Sequence, residues 1–492
     1  MSLPASSSVR RLDAPRHLVV VLALLSPLAA LAQAPHPAPE PSATAVSSLA
    51  TDQTLSKLLT EALEARPELR QVEAQEKAAQ ERVPQAGALP DPVLQVGIQN
   101  DGFGELMIGE MEGSYVSIMA SQALPFPGKR DLRTEVARLG AKAVSAQVLR
   151  ARLTIEAELR RAYLDLLMTR ERRGLLDRLE AIWKQSADLA RIRYETGDGA
   201  QSDLLRAQLE LNRIRQRRVA LDAEERTRVQ TLNRLSGRNL DEPLPTTTRV
   251  RDLGIPELGE VEAAEKDAFE RSPELAEGRA NISQAQQQMA LARRERWPDF
   301  TVSAGVMPRG GDFPTMWQAN VGVNLPIFSG SKQNRAVAES VALADATTRA
   351  TQTVEQILRL RVRERLTALS ALRETAVLYR SGLLMQSAAT AESTLTQYRV
   401  GRASFASVLE ANSGIVRDEE DFLSTLVEAQ RLAIAQAEVS LEPVAAIGGG
   451  SAGAGGMPGA GGTASTPARG AAPSGGAAGA APSSASSSMS GM

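Results

Sequence analysis

Histidine and cysteine, the side chains used most often as general bases, thiol nucleophiles and transition-metal ligands, are nearly absent from this chain. The chain has no cysteine, and its only two histidines, His17 and His36, lie near the N-terminus. Serine–histidine triads, thiol chemistry and histidine-ligated zinc sites are therefore excluded from the rest of the chain. Carboxylates remain, but no glycine-rich phosphate loop accompanies them. We predict that the protein is not an enzyme and has neither a cofactor nor a resident metal.

Both ends of the chain are predicted to lie outside the folded body. Arg10, Arg11 and Arg16 precede an apolar run and then the small residues "ALAQA", which is typical of a cleaved signal peptide over residues 1–34. A membrane-spanning helix is the alternative, but the run is short and Pro27 interrupts it. Residues 35–51 are predicted to be flexible. Residues 446–492, rich in Gly, Ala and Ser, are predicted to be a disordered tail.

The composition favours long solvated helices over a large compact core. The formal charge is −2, charged residues make up 23% and aromatic residues only 3%. A nearly neutral chain lacks the basic excess that a nucleic-acid surface requires, so we expect no nucleic-acid partner.

The chain contains an internal duplication. "RPELRQVEAQ" is matched by "SPELAEGRAN", "ALPDPVLQVGIQ" by "RWPDFTVSAGVM", "QALPFPGKRDLR" by "VNLPIFSGSKQNR", and "YETGDGAQSDLLRAQ" by "YRVGRASFASVLEAN". We predict a first repeat over residues 52–237, a Pro-rich linker over 238–261 and a second repeat over 262–445.

Each repeat contains a long segment with a helical pattern and no proline. The first runs from Pro127 to Gly197 and the second covers residues 331–400, which predicts rods of about 100 Å. The long helix hairpins are placed at 128–237 and 331–442. Apolar residues recur at heptad spacing in the first rod, which predicts a coiled-coil seam of Met168, Leu175, Ile182 and Leu189. Four residues are predicted to cap helices: Gly197 and Gly401 the C-terminal ends, Ser202 and Ser404 the returning helices.

Two pairs of short segments alternate between apolar and polar residues. They cover residues 93–100 and 114–124 (the pair 93–124), then 300–307 and 317–325 (the pair 300–325). Such alternation suits a soluble sheet with one face on a core and also the wall of a membrane barrel. No other element is available to cover these apolar faces, which favours lipid as their environment. The side chains predicted to face the membrane are Phe300, Val302, Trp317, Val321 and Val323.

Four strands are too few to close a barrel. An open sheet edge in lipid leaves backbone groups unpaired, so several chains must combine their strands. Three copies give twelve strands, whereas two give eight, a barrel filled by its own side chains. The sequence therefore predicts a trimer.

The duplicated plan, the "LPFPGKRDLR" turn and the "Y-x-[TV]-G" helix ends resemble the TolC-like outer-membrane efflux family, over about residues 52–445. The "FPGKR" turn resembles the heavy-metal branch. The resemblance implies a mainly α fold with a small β part. Duplicated helical hairpins form an α-barrel across the periplasm, and four strands per chain join a trimeric twelve-stranded barrel in the outer membrane. It also implies a passive exit duct for metal cations or small toxic compounds, joined to an inner-membrane pump by a periplasmic adaptor.

The resemblance further implies roles for the two helical turns, residues 194–205 and 398–409. The residues that it implies constrict the pore are Asp203, Ser407 and Glu410. Ser407 occupies a position where a further Asp is expected. Adaptor docking falls to Thr196, Gly197, Val400, Gly401 and Arg402. The alternative function is a soluble periplasmic coiled-coil adaptor or scaffold.

Overall fold

The structure is a computed structural model that describes residues 49, 51–257 and 259–444. The predicted signal peptide, most of residues 35–51 and the predicted tail lie outside the described residues. In chain order the elements are α1 (Gln53–Ala65), α2 (Pro67–Gly87), β1 (Val93–Gln99), β2 (Tyr115–Leu124), α3 (Lys129–Glu195), α4 (Gln201–Ser236), α5 (Val261–Arg271), α6 (Pro273–Arg294), β3 (Asp299–Met307), β4 (Met316–Asn324), α7 (Gln333–Leu378), α8 (Leu384–Arg399) and α9 (Phe405–Ala437). The predicted mainly α, duplicated fold is confirmed.

The four strands form one antiparallel sheet in the order β1-β2-β3-β4. Each strand begins and ends within one residue of its predicted bounds, because alternation with a period of two is a local signal. The central pair joins the two repeats, with Leu124 opposite Phe300 and Ile118 opposite Val306. A single sheet is therefore shared by both halves of the chain.

The two long rods differ in regularity. Helix α3 runs unbroken for 67 residues from Gly128, whose φ of 86° lets the chain turn sharply out of the strand. The second rod was predicted as one helix and is interrupted by a π-helical segment, Tyr379–Leu383, between α7 and α8. Such a segment accommodates one extra residue in a helix. Tyr379 packs against Phe422 there, with 6.1 Å between ring centroids.

The heptad seam predicted in α3 is wrong in its second half. Met168 and Leu175 are buried, but Ile182 and Leu189 are only half-buried. The residues buried in their place are Leu179, Trp183 and Ala190. A straight α-helix drifts by about 20° per heptad relative to a strict seven-residue repeat, so the contact line moves to neighbouring positions.

The largest apolar core lies where α1, α3, α4 and α9 meet, and it includes Val250 and Leu253 of the predicted linker. Tyr163 is buried at its centre and donates a hydrogen bond to the Asp52 carboxylate. The same carboxylate caps α1 by accepting the Thr54 amide at 2.8 Å. Burial, together with the bond to Asp52, raises the pKa of Tyr163 well above its usual value.

No helix in the described part of the chain is both long and apolar enough to cross a membrane.

Replacing Tyr163 with Phe is expected to lower the free energy of unfolding by about 1–3 kcal/mol, because the buried Asp52 carboxylate loses a donor. The matched control is Tyr194→Phe, since Tyr194 is exposed and its hydroxyl has no hydrogen-bond partner among the described residues. Thermal or denaturant unfolding of the detergent-solubilised protein measures both. Equal stability of the two variants would contradict the importance of this bond.

Candidate functional site

One face of the sheet is apolar across all four strands. The register places Val306 opposite Trp317, Val302 opposite Val321 and Phe300 opposite Val323. Directly opposite residues lie on the same face, so the five residues predicted to face the membrane share one surface. The pairing of β1, β2 and β3 extends this face through Leu94, Val96, Ile98, Val116, Ile118, Ala120, Leu124 and Ala304, with Gln122 as the polar exception.

This apolar face is open to the surroundings of the single chain. Trp317 is 79% exposed and Val321 is 71% exposed. Polar and small residues dominate the other face, which carries Gln95, Gln99, Ser117, Ser121, Thr301, Ser303, Gln318, Asn320 and Asn324. The sheet is therefore amphipathic, and no described segment covers its apolar side.

The outer strands each have one unpaired edge. β1 pairs only with β2, and β4 pairs only with β3, among the described residues. Their outward backbone N–H and C=O groups are available to another strand.

At the far end of the long helices, two tight turns have the same backbone geometry. Gly197 has a φ of 83° and Gly401 a φ of 77°, as predicted for left-handed helix caps. After each glycine, the next amide bonds back to a carbonyl five residues earlier: Asp198 to Arg193 at 2.9 Å and Arg402 to Gln397 at 2.8 Å. Each long helix therefore ends in a Schellman motif.

The two predicted N-terminal caps have different outcomes. Ser404 caps α9 as predicted, and its Oγ accepts the Ser407 amide at 3.2 Å. Ser202 does not cap α4, because the helix begins earlier, with Ala200 at the capping position. Ala200 is the structural counterpart of Ser404, and its side chain offers no acceptor.

Tyr398 links the two turns within one chain. Its side chain is buried against Phe405, and the Arg193 guanidinium lies 4.8 Å from its ring centroid. Arg193 also donates to the Tyr398 backbone carbonyl, and at 2.9 Å to the carbonyl of Asp198. The Tyr398 hydroxyl donates to Asp203 Oδ2 at 3.3 Å. We call Arg193, Tyr398 and Asp203 the tip clamp.

The tip clamp alters the chemistry of its tyrosine. Burial, followed by the negative charge of Asp203, raises the pKa of Tyr398. The hydroxyl therefore remains a hydrogen-bond donor to a higher pH than that of an ordinary tyrosine. Arg193 and Asp203 belong to the first hairpin and Tyr398 to the second, so the clamp holds the two hairpins together.

The three predicted constriction residues lie in different environments. Asp203 is half-buried in the tip clamp, whereas Ser407 is exposed and its hydroxyl lies 3.0 Å from that of Ser404. Glu410 is exposed and has no hydrogen-bond or ion-pair partner in the described part of the chain. Ser407 and Glu410 are three residues apart on α9 and so share one side of that helix. Their role at a constriction stays a prediction.

The five predicted docking residues are all exposed at the turns. Thr196 is held by its hydroxyl, which donates to the Arg193 carbonyl at 3.1 Å and to Asp198 at 3.2 Å. Val400 and Arg402 flank Gly401 in the second turn, and neither side chain forms a hydrogen bond among the described residues. Their role in docking likewise stays a prediction.

Arg193 and the clamping role of Tyr398 were not predicted from the sequence. Tyr194 and Tyr398 occupy matching positions before the two glycines, yet only Tyr398 is buried. The available signal was Phe405 beyond the second turn, an aromatic partner for Tyr398 that has no counterpart beyond the first turn.

No group of three or more His, Cys, Asp or Glu side chains in the described regions is arranged to hold a metal ion.

Comparison with solved structures identifies proteins of the same fold. The chain superposes on the outer-membrane channel OprN with a TM-score of 0.66 at 20% identity, covering 82% of this chain and 94% of OprN. For VceC, an outer membrane protein of Vibrio cholerae, the TM-score is 0.67 at 18% identity, covering 81% of this chain and 98% of VceC. For the open state of the Neisseria gonorrhoeae outer membrane channel MtrE, the TM-score is 0.63 at 18% identity, covering 79% of this chain and 89% of MtrE.

Comparison with curated protein sequences gives no significant match.

The sequence itself matches a family model in both halves. The model described as "Outer membrane efflux protein" matches residues 58–238 and 265–444, which together form most of the chain. These segments contain the four strands, the long helices and both turns. The chain therefore belongs to the outer membrane efflux protein family, and it is an outer-membrane protein whose helices extend into the periplasm.

Proposed function

We propose that the chain is one subunit of a homotrimeric passive channel in the outer membrane. The observation that carries this proposal is the amphipathic four-stranded sheet with two unpaired edges. Three copies supply twelve strands, enough to close a wall around an aqueous lumen. The apolar face containing Trp317 and Val321 contacts lipid, and the opposite polar face lines the lumen.

The helical part continues the duct toward the periplasm. Helix α3 alone, at 67 residues, is about 100 Å long. The exposed tip residues Thr196, Gly197, Val400, Gly401 and Arg402 bind a periplasmic adaptor, which joins the channel to an inner-membrane pump. The cargo is metal cations or small toxic compounds; the heavy-metal part of this proposal rests on the "FPGKR" turn alone.

A soluble periplasmic scaffold is the competing function, and the exposed apolar sheet face argues against it. Monomeric soluble proteins rarely leave large contiguous apolar patches in water. Membrane fractionation separates the two functions, since a scaffold stays in the soluble fraction and a barrel requires detergent.

The tip clamp closes the periplasmic mouth in this proposal. Tyr398 is held from both sides by first-hairpin residues, the Arg193 guanidinium and the Asp203 carboxylate. Opening the mouth moves the hairpins apart and therefore requires these contacts to break. Glu410, exposed and unpaired among the described residues, is free to face the pore axis, where three copies form a ring that favours cations.

The clamp is tested by Tyr398→Phe, which keeps the ring and the backbone carbonyl but removes the donor to Asp203. We expect the open-state population in planar-bilayer recordings to rise about tenfold, corresponding to the loss of about 1.4 kcal/mol from the closed state. Tyr194→Phe is the matched control, since Tyr194 lies outside the clamp. A complete lack of conductance, even after Asp203→Ala and Glu410→Ala are combined, would reject the channel itself.

The proposed acidic ring is tested by Glu410→Gln, which removes charge at nearly constant volume. We expect the ratio of cation to anion permeability, measured from reversal potentials in a salt gradient, to fall at least about twofold because the ring loses its charge. The control is Glu374→Gln, another exposed carboxylate without a partner in the described chain, on α7 and roughly 35 Å of helix from the second turn. If both variants lowered the permeability ratio equally, the selectivity would depend on the overall charge of the protein, and the proposed Glu410 ring would be rejected.

A further inference from the structure

The two halves of the chain meet at a tightly built corner, where β2 turns into α3 beside the start of β3. The Lys129 side chain is only 3% exposed, and its ammonium group lies 2.8 Å from Asp299 Oδ1 and 2.8 Å from the Trp297 carbonyl. Asp299 also accepts the Phe126 amide at 2.8 Å. The Phe126 ring stacks on Trp297, with 5.1 Å between centroids. We call these contacts, with the β2–β3 pairing, the inner seam.

The duplication supplies a second set of the same residues. "PDPVLQ" corresponds to "PDFTVS", which aligns Asp91 with Asp299 and Leu89 with Trp297. "LPFPGK" corresponds to "LPIFSGSK", two residues longer, which aligns Lys332 with Lys129. With the two Leu-Pro pairs aligned, Ile327 stands opposite Phe126, and the next residue, Phe328, is the aromatic side chain of the longer turn.

This second set is unused within one chain. Asp91 and Lys332 are exposed, and neither forms an ion pair or side-chain hydrogen bond with any described residue. Phe328 is 73% exposed and Leu89 is 45% exposed. Both halves of a matching contact are therefore present, on opposite edges of the same sheet.

The helices also leave one packing position unfilled within a single chain. Helix α6 packs along both α3 and α7. Its counterpart α2 packs along α3 but makes no comparable contact with α7 in the described residues. A second copy that placed its α2 against α7 would restore the arrangement that α6 already has.

From these correspondences we infer that contacts between neighbouring subunits repeat the inner seam, with Lys332 of one subunit paired to Asp91 of the next and Phe328 packed on Leu89. We call this the outer seam; it rests on the proposed trimer. A second copy of the chain is the occupant, because it offers the carboxylate, the apolar residue and an unpaired strand edge at matching spacing.

The same correspondence fixes the register between β4 of one subunit and β1 of the next. The inner seam pairs Gln122 with Val302, Ala120 with Ala304 and Ile118 with Val306. Transferred to the outer seam, the pairs are Val323 with Leu94, Val321 with Val96 and Ala319 with Ile98. All six belong to the apolar face, so it continues unbroken from one subunit to the next. A shift by one residue would turn the apolar residues of one strand to the polar side.

Cysteine crosslinking tests the outer seam without interference from native thiols, because the chain contains no cysteine. The double variant Asp91→Cys with Lys332→Cys, treated with a short bismaleimide, should give covalent dimers and trimers on denaturing gels. Each single variant should remain monomeric there. The matched control is Asp312→Cys with Lys332→Cys, since exposed Asp312 lies in the β3–β4 loop at the opposite end of the strands.

Charge reversal provides a second measurement. Lys332→Asp should speed the dissociation of the trimer in mild detergent about tenfold, as followed by native mass measurement. Combining it with Asp91→Lys should restore the original rate, whereas combining it with Asp312→Lys should not.

The outcomes separate the outer seam from the channel. A conducting trimer that neither crosslinks through positions 91 and 332 nor recovers on double reversal overturns the outer seam and leaves the proposed function standing. A wild-type chain that is monomeric in mild detergent overturns both.

Discussion

An unpaired strand edge in hydrocarbon costs several kcal/mol for each backbone group left without a partner. This constraint connects the main features of the structure. One face of the sheet is apolar apart from Gln122, which favours lipid as its environment, yet β1 and β4 each keep an open edge among the described residues. The proposed closed wall of three chains satisfies both conditions. The positions of the long helices follow from those of the strands, because β2 is followed by α3 and β4 by α7.

The features that the sequence predicted well are those with local causes. The strand bounds follow from the alternation of apolar and polar residues. Gly197 and Gly401 have positive φ because a Schellman motif requires a left-handed residue, and glycine, which has no Cβ, adopts that conformation without strain. The heptad seam needed one further fact, the path of the helix, and therefore failed beyond Leu175. The π-helical segment at Tyr379 has no local signal comparable to proline, so its helix was predicted as continuous.

The candidate site was harder to predict because its contacts join distant parts of the chain. Asp203 was identified by position alone, whereas its bond to Tyr398 depends on how two hairpins pack against each other. Arg193 is one arginine among many on a charged helix, and only the packing places it over an aromatic ring. The Ser202 prediction failed for a smaller reason: α4 begins just before it, with Ala200 at the cap.

Because of the duplication, one of the two equivalent seams of the proposed wall forms when the chain folds, and the other forms when chains assemble. At the inner seam, Lys129 loses most of its hydration, which is acceptable only because Asp299 and the Trp297 carbonyl replace the lost water. Covalent connection keeps these partners at high local concentration, so the chain completes this seam alone. Lys332 and Asp91 are exposed in the single chain, and in the proposed outer seam they lose water only when another copy supplies their partner. In the proposed trimer, the apolar faces adjoining them gain a lipid environment only in the closed wall, so we expect assembly and membrane insertion to be coupled steps.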